Sequence, residues 1–520
     1  MSDQPALLEI PEQPEPEPIC CPAVEAPPPK PRFVVLDRKQ MRWAQMDVEA
    51  LLAVDHPARA IWALVESLDL HEFEQDCLNR GERAGRPSWS PQVLISIWVY
   101  AYSQGIASAR AIERSMVWEP ALRWLAADQS INHHTLSDFR MGQKEQLDAL
   151  FVKMLAVLQS ADLVDLQTLL QDGTKVRAQT GKESFHRRKS LEEHCAEAQQ
   201  ALAELEQREE QEAGDDRRCQ AARERAVREK AARLQAALEE LTQRETETAA
   251  AKQRAKLQVS ETEPEARKMK HAHGGWAPSY NVQVTTEAKS RVIAAVEVTA
   301  APNDTQELLP AVERVSRITG QRPVQMIADG GYVSRENVER LSEQTVELIA
   351  PWKDSDSRSA GACVRQGIAE EFRPAAFVHD PASDTLSCPR GRCLALVKIR
   401  QHHGVSCNVY QASAADCQAC EVKLLCCPRS AAGRQVERVI ESEAMQSFQR
   451  RMETAEAQQI YSRRSEVAEF PHMCWKGTWK WRRFSVRGLA KAAKEALWLA
   501  ISYNVQQWIR LCWRPQLKAA

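Results

Sequence analysis

The sequence predicts an α/β protein in which a mixed β-sheet is flanked by helices and follows an all-helical N-terminal domain. Three observations indicate this class. Residues 33–160 carry helical patterns throughout, β-branched runs alternate with amphipathic segments from about Leu163, and two long segments, 188–257 and 354–455, interrupt that alternation. Strands that alternate with helices are typical of a sheet with helices packed on its faces.

The first 32 residues are dominated by Pro and Glu, which predicts a disordered, extended tail. This stretch lacks the basic segment and apolar core of a secretory signal. No apolar run reaches the roughly 18 residues that cross a bilayer. The 15 cysteines, odd in number and clustered late, favour a reducing compartment over a disulfide framework, so we expect a cytoplasmic protein.

Capping residues predict the helices of the N-terminal domain, residues 33–160. Ser90, Pro91 and Gly105 bracket a buried helix, another helix opens at Ser108, and a third begins after His134. Four arginines accompany these helices: Arg110, Arg114, Arg123 and Arg140. The pattern fits either a helix-turn-helix-like DNA-binding module or a plain helical bundle.

The second part of the chain predicts the sheet. The expected elements are a strand over 163–172, two strands over 280–287 and 291–300 joined as a hairpin, a helix over 305–320, a strand over 324–329, a helix over 334–345 and a strand over 346–352. This order predicts a mixed sheet flanked by helices.

Two insertions interrupt this sheet. In 188–257, apolar residues recur at steps of three and four on two arms separated near "AGDD" (213–216), which predicts an antiparallel coiled-coil hairpin. The second insertion, 354–455, carries most of the late cysteines.

Two aspartates follow hydrophobic strands and precede glycine, Asp172 in "LLQDG" and Asp329 in "MIADGG". A lone Asp before Gly is usually a turn residue. Neighbouring strand ends of one sheet would instead bring the two carboxylates together, and a divalent cation would relieve their repulsion. Carboxylates favour Mg²⁺ or Mn²⁺, and two such ions about 4 Å apart can activate a water or hydroxyl and stabilise the leaving oxygen of a phosphodiester.

A third acid is expected in residues 461–476. Tyr461, Arg464, Glu469 and Lys476 recur at steps of 3, 5 and 7. On one helix, Glu469 and Lys476 would share a face, with Glu469 directed towards the sheet and the lysine towards a phosphate. Glu466 is the alternative third acid.

The net charge of −2 argues against a general polyanion binder, but the C-terminal part is basic. From residue 461 onward, the chain has twelve lysines and arginines and three glutamates, and the basic residues are interleaved with Trp475, Trp479 and Trp481. Such a stretch fits contacts with a phosphate backbone and with bases or sugars, and Arg482, Arg483 and Arg487 are predicted DNA contacts. The alternative is a solvated helix face whose acidic partners lie elsewhere.

The cysteine-rich insertion offers a metal site. Cys417 and Cys420 have the spacing that a tetrahedral Zn²⁺ needs, and Cys388 and Cys426 could complete four thiolates. Three other cysteines are alternatives: Cys393, Cys407 and Cys427. The competing interpretation is a set of reduced cysteines without a metal. Any zinc would be structural, because the expected catalytic acids lie elsewhere.

Together these motifs resemble a DDE transposase of bacterial insertion sequences, a group with an RNase H-like core and a Tyr-Arg-Glu-Lys signature around the third acid. The resemblance spans about 46–510 and is carried by segments in this order: "DHPAR", "YAYSQG", "SINHHTLSDFR", "DGTKVRA" at 172–178, "YNVQV" at 280–284, "APNDTQELLP" at 301–310, "ADGGYVSREN" at 328–337, the segment 461–476 and "RRFSVRGLAKAAKE". Two features depart from the family: Arg464 and Glu469 are five residues apart rather than four, and the Phe-Gly pair often seen after the glutamate is absent.

The resemblance implies roles for these residues. Asp172, Asp329 and Glu469 would hold two Mg²⁺ or Mn²⁺ ions, while Tyr461 and Arg464 would grip DNA near the cleaved strand. Lys476 would do the same. The RNase H-like core would comprise 161–353 and 456–515. Similar transposases also carry a cysteine cluster comparable with that of the 354–455 insertion.

The predicted function is that of a transposase that binds the terminal repeats of its element and catalyses metal-dependent strand cleavage and transfer. Its partner would be double-stranded DNA, both element ends and target, held by a homodimer in the synaptic complex. In a bacterium the protein would associate with the nucleoid. The alternatives are a non-transposing metal-dependent nuclease and an inactive DNA-binding relic.

Overall fold

The structure, a computed structural model, describes residues 46–75, 88–142, 144–209, 217–272, 274–352, 356–402 and 405–519. The predicted disordered tail and the predicted break in the coiled-coil hairpin lie outside these ranges. None of the helices within them is long and apolar enough to cross a membrane.

In the part of the chain that the structure describes, seven α-helices precede the first strand. They are α1 (Pro57–Glu66), α2 (His71–Gln75), α3 (Pro91–Ser103), α4 (Ala109–Ser115), α5 (Pro120–Leu125), α6 (His133–Arg140) and α7 (Lys144–Ser160). Helices α3 and α4 begin where the capping signals indicate. Ser90 occupies the N-cap of α3, and the Ser108 hydroxyl accepts a hydrogen bond from the Ala111 backbone N–H at the start of α4. The single helix expected after His134 is wrong, because the chain turns at Met141–Gly142 and forms α6 and α7 instead.

The middle of the chain contains the main sheet and a helical excursion. In order it comprises β1 (Thr168–Arg177), β2 (Phe185–His186), α8 (Arg188–Glu209), α9 (Arg217–Glu247), α10 (Ala251–Arg254), β3 (Val259–Ser260), β4 (Arg267–Lys270), β5 (Trp276–Glu287), β6 (Ile293–Thr299), α11 (Leu308–Thr319), β7 (Gln325–Ile327), α12 (Arg335–Glu343) and β8 (Glu347–Ile349). The strands and helices expected in this part of the chain are therefore present, although several begin or end at different residues.

The main sheet is mixed. Its strands lie in the order β4-β5-β1-β7-β8, and β6 also pairs with β5. The β1–β5 and β5–β6 pairs are antiparallel, whereas β1–β7 and β7–β8 are parallel. The β5–β6 pair is the hairpin that the sequence predicts.

The expectation that the first strand ends on Asp172 is wrong. β1 starts only at Thr168 and continues through Gly173 to Arg177, because β5 pairs with it residue by residue from Leu169 to Arg177. Asp172 lies opposite Val284 in the middle of this ladder.

Helices α8 and α9 pack against each other, as expected for two helical arms. Their shared core contains residues spaced at helical intervals, and Val259 of β3 joins it. At the end nearest the sheet strands, Arg188 forms an ion pair with Glu245, with Nη2 and Oε2 2.6 Å apart. β2 and β3 form a two-stranded antiparallel ribbon beside the hairpin base, the end of the hairpin at which α8 begins and α9 ends.

The remaining elements include a second sheet. They are α13 (Asp356–Gln366), β9 (Val378–Asp380), β10 (Thr385–Ser387), β11 (Cys393–His402), β12 (Val405–Ala412), α14 (Ala414–Gln418), α15 (Lys423–Cys426), β13 (Gln435–Val439), α16 (Glu443–Met452), α17 (Ala455–Ser462), α18 (Arg464–Met473), α19 (Leu489–Trp508) and α20 (Arg514–Ala519). The second sheet is antiparallel, in the order β13-β12-β11-β10-β9.

Helix α19 joins the N-terminal helices to the main sheet. It packs against β6, α3 and α7 and is buried over most of its length. The Asn504 amide exchanges two 2.8 Å hydrogen bonds with the backbone of Ile293, and the Trp498 indole donates to the Arg140 carbonyl. One hydrophobic core therefore extends from Leu52 to Ile509 and holds the sheet rigidly.

Candidate active site

Two adjacent parallel strands place Asp172 and Asp329 side by side. Pairing of β1 with β7 ends where Leu170 lies opposite Ile327, and each aspartate comes two residues later. Alternate residues of a strand point to the same face, and neighbouring strands are about 4.8 Å apart. The register of the sheet therefore directs both carboxylates to one face.

The Arg464 guanidinium lies between these two carboxylates. Its Nη2 is 2.9 Å from Asp172 Oδ1 and 3.9 Å from Asp329 Oδ2. The side chains of Arg464 and Asp172 are only 11% and 15% exposed. A cation thus already lies where the two acids converge, which shows that this position accepts positive charge.

Burial dominates the electrostatics of Asp172. It raises the pKa of this carboxyl to about 6, and the negative charges of Asp329 and Glu469 act in the same direction. The Arg464 charge and a hydrogen bond from the Gly173 backbone oppose the rise. The Asp172 carboxylate is buried beside two further carboxylates, and all three groups offer hard oxygen donors. A divalent cation bound between them would stabilise their charged forms.

Glu469 and Glu466, the two candidates for the third acid, lie on α18, which packs against β1. Glu469 is exposed on this helix and raises the pKa of Asp172, which favours it over Glu466 as the partner of the two aspartates. Within the described residues, no three of these carboxylates bring oxygens within 4.8 Å of one another.

Lys476 reaches the same strand by a different route from the one expected. Helix α18 ends at Met473 and a π-helical turn, Cys474–Thr478, carries the lysine, so the predicted shared α-helical face with Glu469 is wrong. Its ammonium donates to Thr174 Oγ1 and, at 3.1 Å, to the Lys175 carbonyl. Burial lowers the pKa of Lys476, and the Asp172 charge opposes that change.

Tyr461 and Arg464, both predicted DNA contacts, lie against the protein in this structure. Tyr461 is partly buried on α17 and packs against a small core that includes Leu170 and Ile327. Arg464 begins α18 and forms its ion pair with Asp172.

The tryptophans of the basic segment are core residues, so the expectation that they stack on bases or sugars is wrong. Trp475, Trp479 and Trp481 are all buried. Trp475 and Trp481 pack edge to face with ring centroids 5.7 Å apart. Such contacts between large aromatic rings stabilise a protein core.

The predicted arginine contacts in this segment remain at the surface. Arg482, Arg483 and Arg487 are exposed. Arg482 and Arg483 flank β1, since the Arg482 carbonyl accepts from the Arg177 N–H and Arg483 forms a parallel bridge with Arg177. In contrast, Arg140 of the N-terminal helices is buried and bonds to the Ala107 carbonyl.

A polar network behind Asp172 was missed by the sequence interpretation. Gln283, opposite Gly173 on β5, accepts a 2.6 Å hydrogen bond from the Tyr332 hydroxyl and donates one of 2.7 Å to Asp304. A Cβ on Gly173 would lie 2.6 Å from Gln283 Nε2, 2.7 Å from Asp304 Oδ1 and 2.9 Å from the Tyr332 hydroxyl. The polar glutamine within the β-branched run "YNVQVTT" was the available signal.

His472 was also missed. It is buried one turn after Glu469, and its Nε2 lies 3.5 Å from Asp172 Oδ2, too far for a well-formed hydrogen bond. Burial, together with Lys476 and Arg464, lowers the pKa of His472 to about 3. The imidazole therefore stays neutral beside the acids at neutral pH. Its position three residues after Glu469 was the signal in the sequence.

The predicted zinc ligands gather at one small cavity of about 30 Å³ beside the second sheet. Five cysteines line it: Cys388, Cys417, Cys420, Cys426 and Cys427. Backbone N–H groups of Arg392 and Arg434 lie 3.3 Å from the sulfurs of Cys388 and Cys417. Burial raises the pKa of Cys426 to about 12. In the described part of the chain no three sulfurs lie within 4.8 Å of one another.

Comparison with known proteins gives two matches to family models. Residues 46–142 match a model described as "Transposase domain (DUF772)", and residues 172–505 match one described as "Transposase DDE domain". No match was found among curated proteins or among solved structures. The second model begins at Asp172 and covers well over half of the chain. The chain therefore belongs to the DDE transposases, enzymes that cleave DNA and transfer its strands.

Proposed function

We propose that this transposase binds the terminal repeats of its own insertion sequence and cuts and joins DNA by metal-dependent phosphoryl transfer. The observation that carries the proposal is the register of β1 and β7, which puts Asp172 and Asp329 at equivalent positions on one face, with Glu469 close enough to perturb Asp172. Two carboxylates on adjacent parallel strands are held at a fixed spacing by the sheet, which suits the binding of divalent cations.

The proposed core is RNase H-like. The strand order β4-β5-β1-β7-β8, with β6 beside β5, supports it: one half is antiparallel and the other parallel. Asp172 lies on the central strand and Asp329 just beyond its parallel neighbour. The α8–α9 hairpin and the second sheet would be insertions into this core, since they leave the main sheet between β1 and β4 and after β8.

Asp172, Asp329 and Glu469 would hold two Mg²⁺ or Mn²⁺ ions. Bound there, such ions activate a water or a 3′-hydroxyl and neutralise charge on the scissile phosphate. The rest of the site belongs to the chain. Arg464 holds the acids in place through its ion pair and would turn to a phosphate when the cations neutralise them. His472 stays neutral and adds no competing positive charge.

Lys476 and the neighbouring arginines would hold the DNA backbone. The Lys476 ammonium contacts Thr174 and Lys175 of β1, two and three residues after Asp172. A phosphate bound at the acids would therefore be within its reach. The exposed Arg482, Arg483 and Arg487 continue the positive surface. Tyr461, partly exposed on α17, would complete the contacts near the cleaved strand.

Two further parts of the proposal concern partners and structure. Synapsis of two element ends would need a homodimer. A structural Zn²⁺ would be held by Cys388, Cys417, Cys420 and Cys426, with Cys427 as the alternative. The convergence of these cysteines on one cavity, with backbone N–H groups directed at two sulfurs, supports it.

Product analysis tests this function. Purified protein is incubated with DNA that flanks its gene, Mg²⁺ and a target plasmid. We expect nicks at the element ends and joining of 3′ ends to the target. Asp329→Asn should abolish both while leaving binding of end DNA largely intact. Cleavage without joining would indicate a nuclease, and binding without cleavage by the unaltered chain would indicate an inactive relic.

A further inference from the structure

A second group of metal-binding side chains lies at the base of the α8–α9 hairpin. His186, His194 and Glu261 each bring one ligand atom into a group whose members all lie within 4.8 Å of one another. In the described part of the chain, it is the one set of three His, Cys, Asp or Glu residues that meets this spacing. None of the three belongs to the proposed active site or to the cysteine cluster.

Three separate segments converge to form this group. His186 is on β2 and pairs with Val259 of β3. Glu261 comes two residues after Val259, and its N–H donates to the Ser184 carbonyl, so His186 and Glu261 are diagonal neighbours on one face of the ribbon. His194 joins them from α8, next to Cys195 in the buried core of the hairpin.

The distances fit a small, four-coordinate ion. His194 Nδ1 lies 3.1 Å and His186 Nε2 3.8 Å from the same oxygen, Glu261 Oε2. Ligands at about 2.1 Å from a tetrahedral Zn²⁺ are roughly 3.4 Å apart, which falls between these two values. The imidazole rings are 4.9 Å apart and inclined by 75°, an edge-to-face arrangement rather than a stack.

The donor chemistry differs from that of the other two sites. Two imidazole nitrogens and one carboxylate oxygen form a set typical of Zn²⁺, whereas the three active-site acids favour Mg²⁺ or Mn²⁺. The side chains of His186, Glu261 and His194 are 25%, 30% and 35% exposed, which leaves room for a water as fourth ligand. We propose that His186, His194 and Glu261 bind a Zn²⁺ ion that fastens helix α8 to the β2–β3 ribbon.

Such an ion would act on the hairpin, not on the reaction. The base of the hairpin is also held by the apolar contacts of Leu191 and Val259, by the Arg188–Glu245 ion pair and by hydrogen bonds from Arg244 to the Gln258 and Pro264 carbonyls. A metal bridging β2, α8 and the residue after β3 would lower the frequency with which this base opens.

Zinc stoichiometry tests the proposal on the full-length protein. The Cys417→Ser/Cys420→Ser protein serves as background, so that thiolate binding does not contribute. Zn²⁺ is titrated against a competing chelator in this background and in the same background carrying His194→Ala or Glu261→Gln. We expect loss of one bound equivalent, or an affinity lower by more than about 100-fold, since even outer-shell changes cost 10–100-fold.

A matched control is available in the N-terminal helices. His133 Nδ1 lies 2.7 Å from Glu113 Oε2, with exposures of 25% and 30%, and His134 is adjacent. Among the described residues, this His–Glu pair lacks a third ligand within 4.8 Å. His133→Ala should therefore leave zinc binding unchanged.

If His194→Ala unfolds, the Glu261→Gln variant and two further measurements, Co²⁺ absorption and hydrogen exchange, still test zinc binding. Glu261→Gln keeps the side-chain shape but weakens the ligand. Co²⁺ in the Cys417→Ser/Cys420→Ser background should give d–d absorption without thiolate charge transfer, and Zn²⁺ should slow hydrogen exchange in 185–194 and 259–263. The proposal is overturned if zinc stoichiometry is the same in all variants, if His133→Ala loses it equally, or if exchange does not respond to zinc.

Discussion

Asp172→Asn should make the metal-free protein more stable at alkaline pH. The folded chain holds this carboxyl in a buried position where burial, Asp329 and Glu469 all disfavour its charge. Asparagine has the same shape without the charge. A carboxylate that destabilises the metal-free fold is expected where it serves as a cation ligand. Its position is then explained by function and not by stability.

The size of the effect follows from the pKa. A rise from 3.8 to about 6 corresponds to about 3 kcal/mol at roughly 1.4 kcal/mol per pKa unit, and the attraction of Arg464 is already included. Because the folded-state pKa is raised, the cost is absent well below pH 3.8, where the carboxyl is protonated in both states, grows as the pH rises, and is complete above about pH 6. The gain from Asp172→Asn is therefore at most about 3 kcal/mol at pH 8.

Thermal unfolding with EDTA, at pH 4 and pH 8, measures this difference. The variant should melt above the unaltered protein at pH 8, and most of this difference should disappear at pH 4. Adding Mg²⁺ at about 100 times its dissociation constant should stabilise the unaltered protein by about 2.7 kcal/mol and leave the variant nearly unchanged.

Asp165→Asn provides a control of opposite sign. Asp165 forms an ion pair with Lys289 and accepts a hydrogen bond from the Gln167 N–H, and these contacts lower its pKa. Its replacement should lower stability at pH 8 and have no effect once the carboxyl is protonated. If Asp172→Asn also destabilises at pH 8, or if Mg²⁺ stabilises both proteins equally, the carboxyl is not held in a strained, metal-binding position.

Three further outcomes are expected. Gly173→Ala should destabilise the protein by about 1–3 kcal/mol and abolish cleavage, since its Cβ would lie within 2.6–2.9 Å of three side chains. Urea unfolding measures the loss of stability and a nicking assay measures cleavage. Full activity of this variant would refute the tight packing. Lys476→Met should weaken binding of end DNA, because Lys476 is proposed to hold a phosphate, and should slow cleavage by about 100-fold. Lys480→Met, at an exposed position four residues later, should slow cleavage far less. Cys417→Ser should release one zinc and destabilise the second sheet, as seen by metal analysis and hydrogen exchange; unchanged zinc would exclude that ligand set.

Local signals were enough to predict much of the fold. Ser90, Ser108 and Ser334 mark helix starts, and Gly320, with φ of 71°, marks the end of α11. These signals act within one turn of the chain, so a sequence contains them in full.

Non-local pairing could not be predicted in the same way. Nothing in "LLQDGTKVRA" shows that β1 continues past Asp172, because the continuation depends on β5, more than 100 residues away. The equivalence of Asp172 and Asp329 depends likewise on the register of β1 and β7. The sequence pointed to the two acids, but the sheet decides that they share a face.

The burial of side chains was the other limit. Trp475, Trp479 and Trp481 lie between basic residues, a pattern that fits a nucleic-acid surface as well as a core, and they are core residues. His472 and Gln283 escaped notice because single polar residues in apolar surroundings carry no pattern until their neighbours are known.

Strand cleavage by single-acid variants tests the central claim most directly, namely that Asp172, Asp329 and Glu469 form one metal-dependent site. Labelled DNA ends from the flanks of the gene are incubated with Mg²⁺ and the breaks are mapped. Asp172→Asn, Asp329→Asn and Glu469→Gln should each abolish cleavage while end binding persists, and Glu466→Gln should cleave normally. Normal cleavage by Glu469→Gln, or its loss in Glu466→Gln alone, would contradict the assignment of the third acid, and cleavage by either aspartate variant would contradict the site itself.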